Sequence, residues 1–211
     1  MPADSCQTAS AILESAKDEF LRCGFAGASL RRIAAGAKVT TGALYRHFKD
    51  KDALFEAVVA PVYTDFLERY NSLSKREFRQ LEEDGMDSMW QESKNTMGLF
   101  VNYIYDAFDI FKLLLSGSEQ TPYEHFTHTL IDLSVDTTMA YIKAARALGY
   151  PVRNVGRDEL HILTNAQYSC LYEMVLHNMP REAALAMAKN LSGFFIAGWQ
   201  AILLGPATGA E

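Results

Sequence analysis

Apolar residues recur every three or four positions along nearly the whole chain, and no stretch shows the period-two alternation and β-branched enrichment that a strand requires. That spacing predicts an all-α fold. Ala9, Ile12, Leu13, Ala16, Phe20 and Leu21 form the first stripe, which Gly24 closes in the position a helix C-terminus favours. A fourth helix opens at Asp50 or Lys51 and carries Leu54, Phe55, Val58, Val59, Val62, Phe66 and Tyr70 towards Leu73. Pro61 lies inside it, where the missing N–H and ring clash cost roughly 3 kcal/mol and a kink is expected. The charged run from Ser74 to Asp84 reads as a connection. Beyond it come helices over Met86 to Ile104, Phe108 to Gly117, Pro122 to Gly149, Asp158 to His177 and Pro180 to Leu204, about nine in total by apolar period.

The second and third helices lie in the segment SLRRIAAGAKVTTGALYRHFKDK, Ser29 to Lys51. Ser29 can cap a helix from Leu30 to Gly36 whose inner face is Leu30, Ile33, Ala34 and Ala37. A short turn, Ala37-Lys38-Val39, buries Val39 and leads to Thr40, a second cap. The helix after Thr40 offers only Ala43, Leu44 and Phe48 to a core, and otherwise displays donors. Two short helices around a tight break have the layout of a helix-turn-helix, and a second helix poor in core contacts and rich in donors suits a reader more than a scaffold.

Net charge is −6, which argues against a polyanion partner until the chain is divided. Residues 1–60 carry 8 Lys+Arg against 7 Asp+Glu, and between Ala28 and Lys51 six basic residues face the single acid Asp50. Positive charge is thus concentrated where nucleic acid would bind. Cys6, Cys23 and Cys170 are too few and scattered for a disulfide framework or zinc site, and the opening residues lack a signal-like apolar run, so a cytoplasmic location is expected. The apolar stretch Gly193 to Gly205 is too short to span a bilayer, so no membrane association is expected. His125 and His128 share a face but lack further ligands, so no metal is expected. No nucleophile elbow, phosphate loop or dinucleotide fingerprint is present, so neither enzymatic activity nor a cofactor is expected.

Two further sets of residues stand out in the C-terminal part. Trp90, Met97, Phe100, Tyr103, Phe108, Phe111, Tyr141, Tyr168 and Tyr172 supply aromatic and thioether surface with a few hydroxyls, the lining of a small-molecule site or simply a core. Ala183, Ala186, Asn190, Gly193, Ala197 and Ala201 recur at spacings of three and four. Small residues on one face allow two helices to approach closely, either across a dimer interface or within the chain.

The run Ile33-Ala34, Val39-Thr40-Thr41-Gly42-Ala43-Leu44-Tyr45-Arg46-His47-Phe48, followed by Lys51 and Leu54, resembles the N-terminal signature of TetR-family transcriptional regulators. The likeness covers about the first quarter of the chain; the remainder resembles the family in helix count and in Met179-Pro180-Arg181-Glu182-Ala183 and Phe195-Ile196-Ala197-Gly198-Trp199. Lys38 departs from it, standing where many members have glycine.

The resemblance implies a DNA-binding domain over residues 1–50 and a ligand-sensing, dimerising domain over 51–211. Tyr45, His47 and Lys51 are then phosphate contacts, Arg31 a guanine reader, Thr41 and Gly42 the point of closest approach, with Ser29, Thr40 and Arg46 beside them. It implies a homodimer through the last two helices, including Ala186, Gly193, Ala197 and Ala201, on a pseudo-palindromic double-stranded operator, and release by a small molecule. Repression is what the resemblance implies first; the alternatives are an activator of the same family and a helical ligand-binding or interaction protein whose helix-turn-helix no longer binds DNA.

Overall fold

Local sequence signals set the helix boundaries. A computed structural model describes residues 2–205, with side chains from Cys6 onward; these residues form nine helices and no strand. They are α1 (Pro2–Gly27), α2 (Leu30–Gly36), α3 (Thr41–His47), α4 (Lys51–Glu83), α5 (Met86–Asp106), α6 (Phe108–Ser116), α7 (Phe126–Ala147), α8 (Arg157–Leu176) and α9 (Arg181–Leu204). Gly24, at φ 67°, interrupts α1 where the sequence places its C-terminal glycine. No helix among the described residues is long and apolar enough to cross a membrane.

The expected connection at Ser74–Asp84 is instead the last part of α4. Its apolar stripe is interrupted because the helix turns Glu77 inward, where its Oε2 accepts from the Tyr141 hydroxyl at 2.9 Å; the Ser74 backbone carbonyl accepts from the same hydroxyl at 2.9 Å. Leu81 is 1 % exposed, and Phe78 stacks on Tyr141 with ring centroids 3.9 Å apart. Pro61 is exposed and α4 is continuous across it.

Packing divides the chain into two compact units. The first comprises residues 1–67 and 107–126, so the start of α4 and the whole of α6 group with α1–α3, beyond a boundary at residue 50. Its core is Ile12, Ala16, Phe20, Phe25, Ile33, Leu44, Leu54, Phe55, Val59 and Phe111. Phe20, Phe25 and Phe55 meet ring to ring, and the Phe25 N–H donates to the Gly117 carbonyl at 2.9 Å. The second unit comprises residues 68–106 and 127–211. Here α9 packs along α5 through Ala184, Ala188, Ser192 and Ile196, with the Ser192 hydroxyl donating to the Lys94 carbonyl at 3.0 Å. Trp199 Nε1 donates to Gln167 Oε1 at 2.7 Å, tying α9 to α8.

Contact between α1 and α2 centres on Glu19, 7 % exposed among the α1 core residues. Its Oε1 accepts from the Ser29 N–H at 3.1 Å and from Arg32 Nε at 2.6 Å, and its Oε2 accepts from Arg22 at 2.6 Å. Burial alone would raise this carboxyl, but the bonds from Arg32, Arg22 and the Ser29 N–H outweigh it and hold the group at about 2, below its ordinary 4.5. Gly36 completes the approach of the two helices: a side chain there would collide with Ser15 Oγ, which donates to the Ile33 carbonyl at 2.9 Å.

A depressed folded-state pKa contributes stability that is fully present above the ordinary value of 4.5 and disappears as pH falls towards 2. Glu19→Gln should therefore cost about 1–2 kcal/mol at neutral pH, with both arginines partly solvated. The gap from wild type in urea unfolding should narrow steadily between pH 4.5 and 2; a gap that is constant with pH refutes this account.

Candidate nucleic-acid interface

Helix α3 is seven residues long and depends on its surroundings for its shape. Thr40 is extended and its hydroxyl accepts from the Ala43 N–H at 3.1 Å, the cap expected from the sequence. Leu44 is fully buried and anchors the helix, while Ala43 and Phe48 are half-buried. Ser29 occupies the N-cap of α2 with extended backbone but makes no side-chain cap bond, contrary to expectation; its N–H is instead held by Glu19. Val39, expected to be buried, is half-buried, with its N–H on the Ala34 carbonyl at 2.9 Å.

With Leu44 inward, the opposite side of α3 faces outward. Thr40, Gly42, Tyr45 and Arg46 are exposed there, Tyr45 to 52 %, and Thr41 is half-buried beside them. A Cβ at Gly42 would meet nothing nearer than Thr40 Oγ1 at 3.9 Å, so the backbone is open to a close approach. Arg31, at the start of α2, is exposed, and neither Arg31 nor Arg46 has an ion-pair partner among the described residues. His47 is half-buried, its ring 6.4 Å from that of Phe48.

Two basic residues are engaged within the fold. Arg32, though exposed, pairs with Glu19 and also donates to the Gly27 carbonyl at 2.9 Å. Lys51 donates to the carbonyls of Phe25 at 2.8 Å and Ala26 at 3.3 Å, with its ammonium 4.4 Å from the Phe25 ring centroid. It therefore caps the end of α1 and keeps one N–H available. Sequence reasoning did not assign the roles of Glu19 and Lys51 in the fold. An acid three residues after buried Ala16 was a signal for Glu19; nothing local pointed to the carbonyls that bind Lys51.

The aromatic candidates separate between the units. Phe108 and Phe111 belong to the first, where the Phe111 ring meets Phe66 at 5.2 Å and Phe126 at 6.3 Å. Trp90, Met97, Phe100, Tyr103, Tyr141, Tyr168 and Tyr172 belong to the second. Trp90 and Met97 are each 8 % exposed, Phe100 lies 6.0 Å from Tyr70, and Arg69 covers the Tyr103 ring at 4.6 Å. Ala183, Ala186, Asn190, Gly193, Ala197 and Ala201 are all exposed on α9, with Phe194 70 % exposed among them.

Residues 12–58 match the family described as bacterial regulatory proteins, tetR family. The chain is 46% identical over 59 residues to an HTH-type transcriptional repressor of Mycobacterium tuberculosis, a match covering 28% of this chain and 31% of that protein. It thus spans about a third of that relative's length. Two solved structures share the fold over nearly the full length. A TetR-like transcriptional regulator from Rhodococcus superposes with TM-score 0.60 at 17% identity, over 90% of this chain and 96% of its own. NalD, the secondary repressor of the MexAB-OprM multidrug efflux pump in Pseudomonas aeruginosa, gives 0.58 at 18%, over 95% and 98%.

The turn before α3 is strained at Lys38. Lys38 has φ 57°, the left-handed region, where glycine meets no steric penalty and other residues lose about 1–2 kcal/mol. Lys38→Gly should raise stability by about 0.5–1 kcal/mol, net of the extra freedom glycine gives the unfolded chain. Thermal and urea unfolding measure this, and an unchanged or lowered midpoint counts against strain at this turn.

Proposed function

We propose, from the match of residues 12–58 to the tetR family of bacterial regulatory proteins, that this chain is a member of that family and a DNA-binding transcriptional repressor. In this reading it acts in the cytoplasm, as a homodimer on a pseudo-palindromic operator, and a small molecule releases it. The observation that carries the DNA-binding part is the outward face of α3, where Thr41, Gly42, Tyr45 and Arg46 stand opposite the buried anchor Leu44. Tyr45 offers a hydroxyl to a phosphate, Arg46 and Arg31 offer guanidinium groups that have no ion-pair partner among the described residues, and Gly42 admits the nucleic-acid edge closely. His47 and the remaining N–H of Lys51 add phosphate contacts at the rim, with the hydroxyls of Ser29 and Thr40 beside them. The repressor names of the Mycobacterium and Pseudomonas proteins support repression over activation.

The two faces of α9 support the dimer. Ala184, Ala188, Ser192 and Ile196 are used within the chain, while the small residues of the other face, Phe194 and Met187 remain exposed. The exposed strip is the one whose spacing suits close helix–helix approach, and two copies would set two α3 helices about one DNA turn apart, at roughly 34–36 Å. Ligand binding in the second unit would favour a spacing that no longer fits successive major grooves.

A salt titration of binding to DNA selected from the host genome tests the reader. Log affinity should fall steeply with log salt, and Tyr45→Phe should weaken binding by about tenfold without loss of stability. Lys51→Ala should lower the salt slope by about one, the share of a single phosphate, and also lower the unfolding midpoint. A flat salt dependence excludes the regulator and leaves a helical binding protein. For the dimer, Ala197→Glu should give a monomer in sedimentation and weaken operator binding by at least about tenfold; a dimer that persists moves the interface elsewhere.

A further inference from the structure

Helices α2, α7 and α8 end in the same pair of backbone hydrogen bonds, closed by a left-handed residue. At the end of α2 the Val39 N–H donates to the Ala34 carbonyl at 2.9 Å and the Lys38 N–H to the Ala35 carbonyl at 3.1 Å. At the end of α7 the corresponding donors are Tyr150, to Ala145, and Gly149, to Arg146, each at 3.0 Å. At the end of α8 they are Met179, to Met174 at 2.9 Å, and Asn178, to Val175 at 3.0 Å. This paired arrangement requires a positive φ at the residue that follows the cap. Gly149, Asn178 and Lys38 meet the requirement with φ of 89°, 51° and 57°. Glycine adopts that conformation freely and asparagine readily, whereas lysine does so only under strain.

Nothing in the α2 turn calls for a lysine side chain. The bonds that close the turn use backbone alone, and the Lys38 side chain is exposed, with no hydrogen bond or ion pair among the described residues. Arg32 and Lys51, by contrast, are fastened to Glu19 and to the end of α1. The strain at residue 38 therefore has no compensating contact inside the protein, and such strain gathers where a side chain serves a function. Lys38 lies two residues before the Thr40 cap and four before Gly42, both exposed at the start of α3. The second helix of a helix-turn-helix meets the major groove with its first residues, so the phosphates that border the groove lie beside that end. Lysine carries a point charge on a flexible four-carbon stem, which suits a phosphate and asks little of its direction.

We propose that Lys38 is a further DNA contact, its ammonium on a backbone phosphate beside the start of α3. The contact rests on the reading of α3 as the DNA reader and adds a residue of the turn to that site. Arg31 on α2, Lys38 in the turn and Arg46 on α3 then supply the three cations that the fold leaves without ion-pair partners among the described residues. Removing the Lys38 side chain relieves strain and deletes the contact at once, so stability and affinity move in opposite directions.

The full-length protein tests this with two duplexes: a genomic fragment that the wild-type chain selects, and one of the same length with its sequence scrambled. Lys38→Gly should raise the melting temperature by about 1–3 °C and weaken binding at least about fivefold at about 0.1 M salt. A phosphate carries no sequence information, so both duplexes should weaken alike, and log affinity against log salt should lose about one unit of slope for each copy bound. Lys38→Asn, which accepts the left-handed turn without a charge, should weaken binding as Lys38→Gly does. Lys38→Arg should keep affinity within about twofold of wild type, because its charge still reaches the phosphate. Lys49→Gln removes one charge from the same segment and should cost less than about twofold, since salt screens an exposed charge that touches no phosphate. Unchanged affinity or slope in both Lys38→Gly and Lys38→Asn, no retention in Lys38→Arg, a loss confined to the selected duplex, or an equal loss in Lys49→Gln overturns the contact. Where wild-type binding is steeply salt-dependent, each of these results leaves the DNA-binding reading in place. A flat wild-type salt dependence overturns that reading and the Lys38 contact together.

Discussion

One carboxylate organises the first helices of this molecule. Glu19 lies inward on α1, where an apolar residue would ordinarily stand, and its oxygens bind the first N–H of the α2 cap and two guanidinium groups. A charge at that depth is tolerable only because its hydrogen bonds replace the water it loses. In return it fixes where α2 begins relative to α1, and α2 and the Lys38 turn set the entry of α3. The seven residues of α3 would not hold a helix alone, so what α3 presents to the outside depends on a contact two helices away.

The same economy governs the basic residues. Six of them between Ala28 and Lys51 make the segment electropositive, but they divide by task. Arg32 and Lys51 fasten α1 to its neighbours through Glu19 and through backbone carbonyls, and Lys49 lies loosely beside Asp50 at 3.9 Å. Arg31, Lys38 and Arg46 remain without ion-pair partners among the described residues. Field strength at the surface and rigidity beneath it therefore come from different members of one cluster.

Punctuation made much of this legible. Gly24, Thr40, Gly117, Gly149 and Pro180 mark helix ends that the structure reproduces to within a few residues, and Leu44 stood out as the anchor of a helix otherwise built for display. What stayed hidden shares one cause, buried polarity. The last part of α4 passed for a connection because one of its inward positions is Glu77, whose partner Tyr141 is more than sixty residues away. Lys51 gave no sign that its amine would find the carbonyls of Phe25 and Ala26. Apolar period records burial by hydrophobicity and is blind to burial by hydrogen bonding.

The hydrogen bond from the Phe25 N–H to the Gly117 carbonyl has a bearing on how the protein is made. It joins residues separated by more than ninety positions, and α6 belongs to the same packed unit as the first three helices. A ribosome releases α1 to α3 long before residues 107–126 leave its exit tunnel, so the first unit cannot complete its packing while those residues are still enclosed. It must wait, with Phe111 missing from its core, until well over half of the chain has emerged.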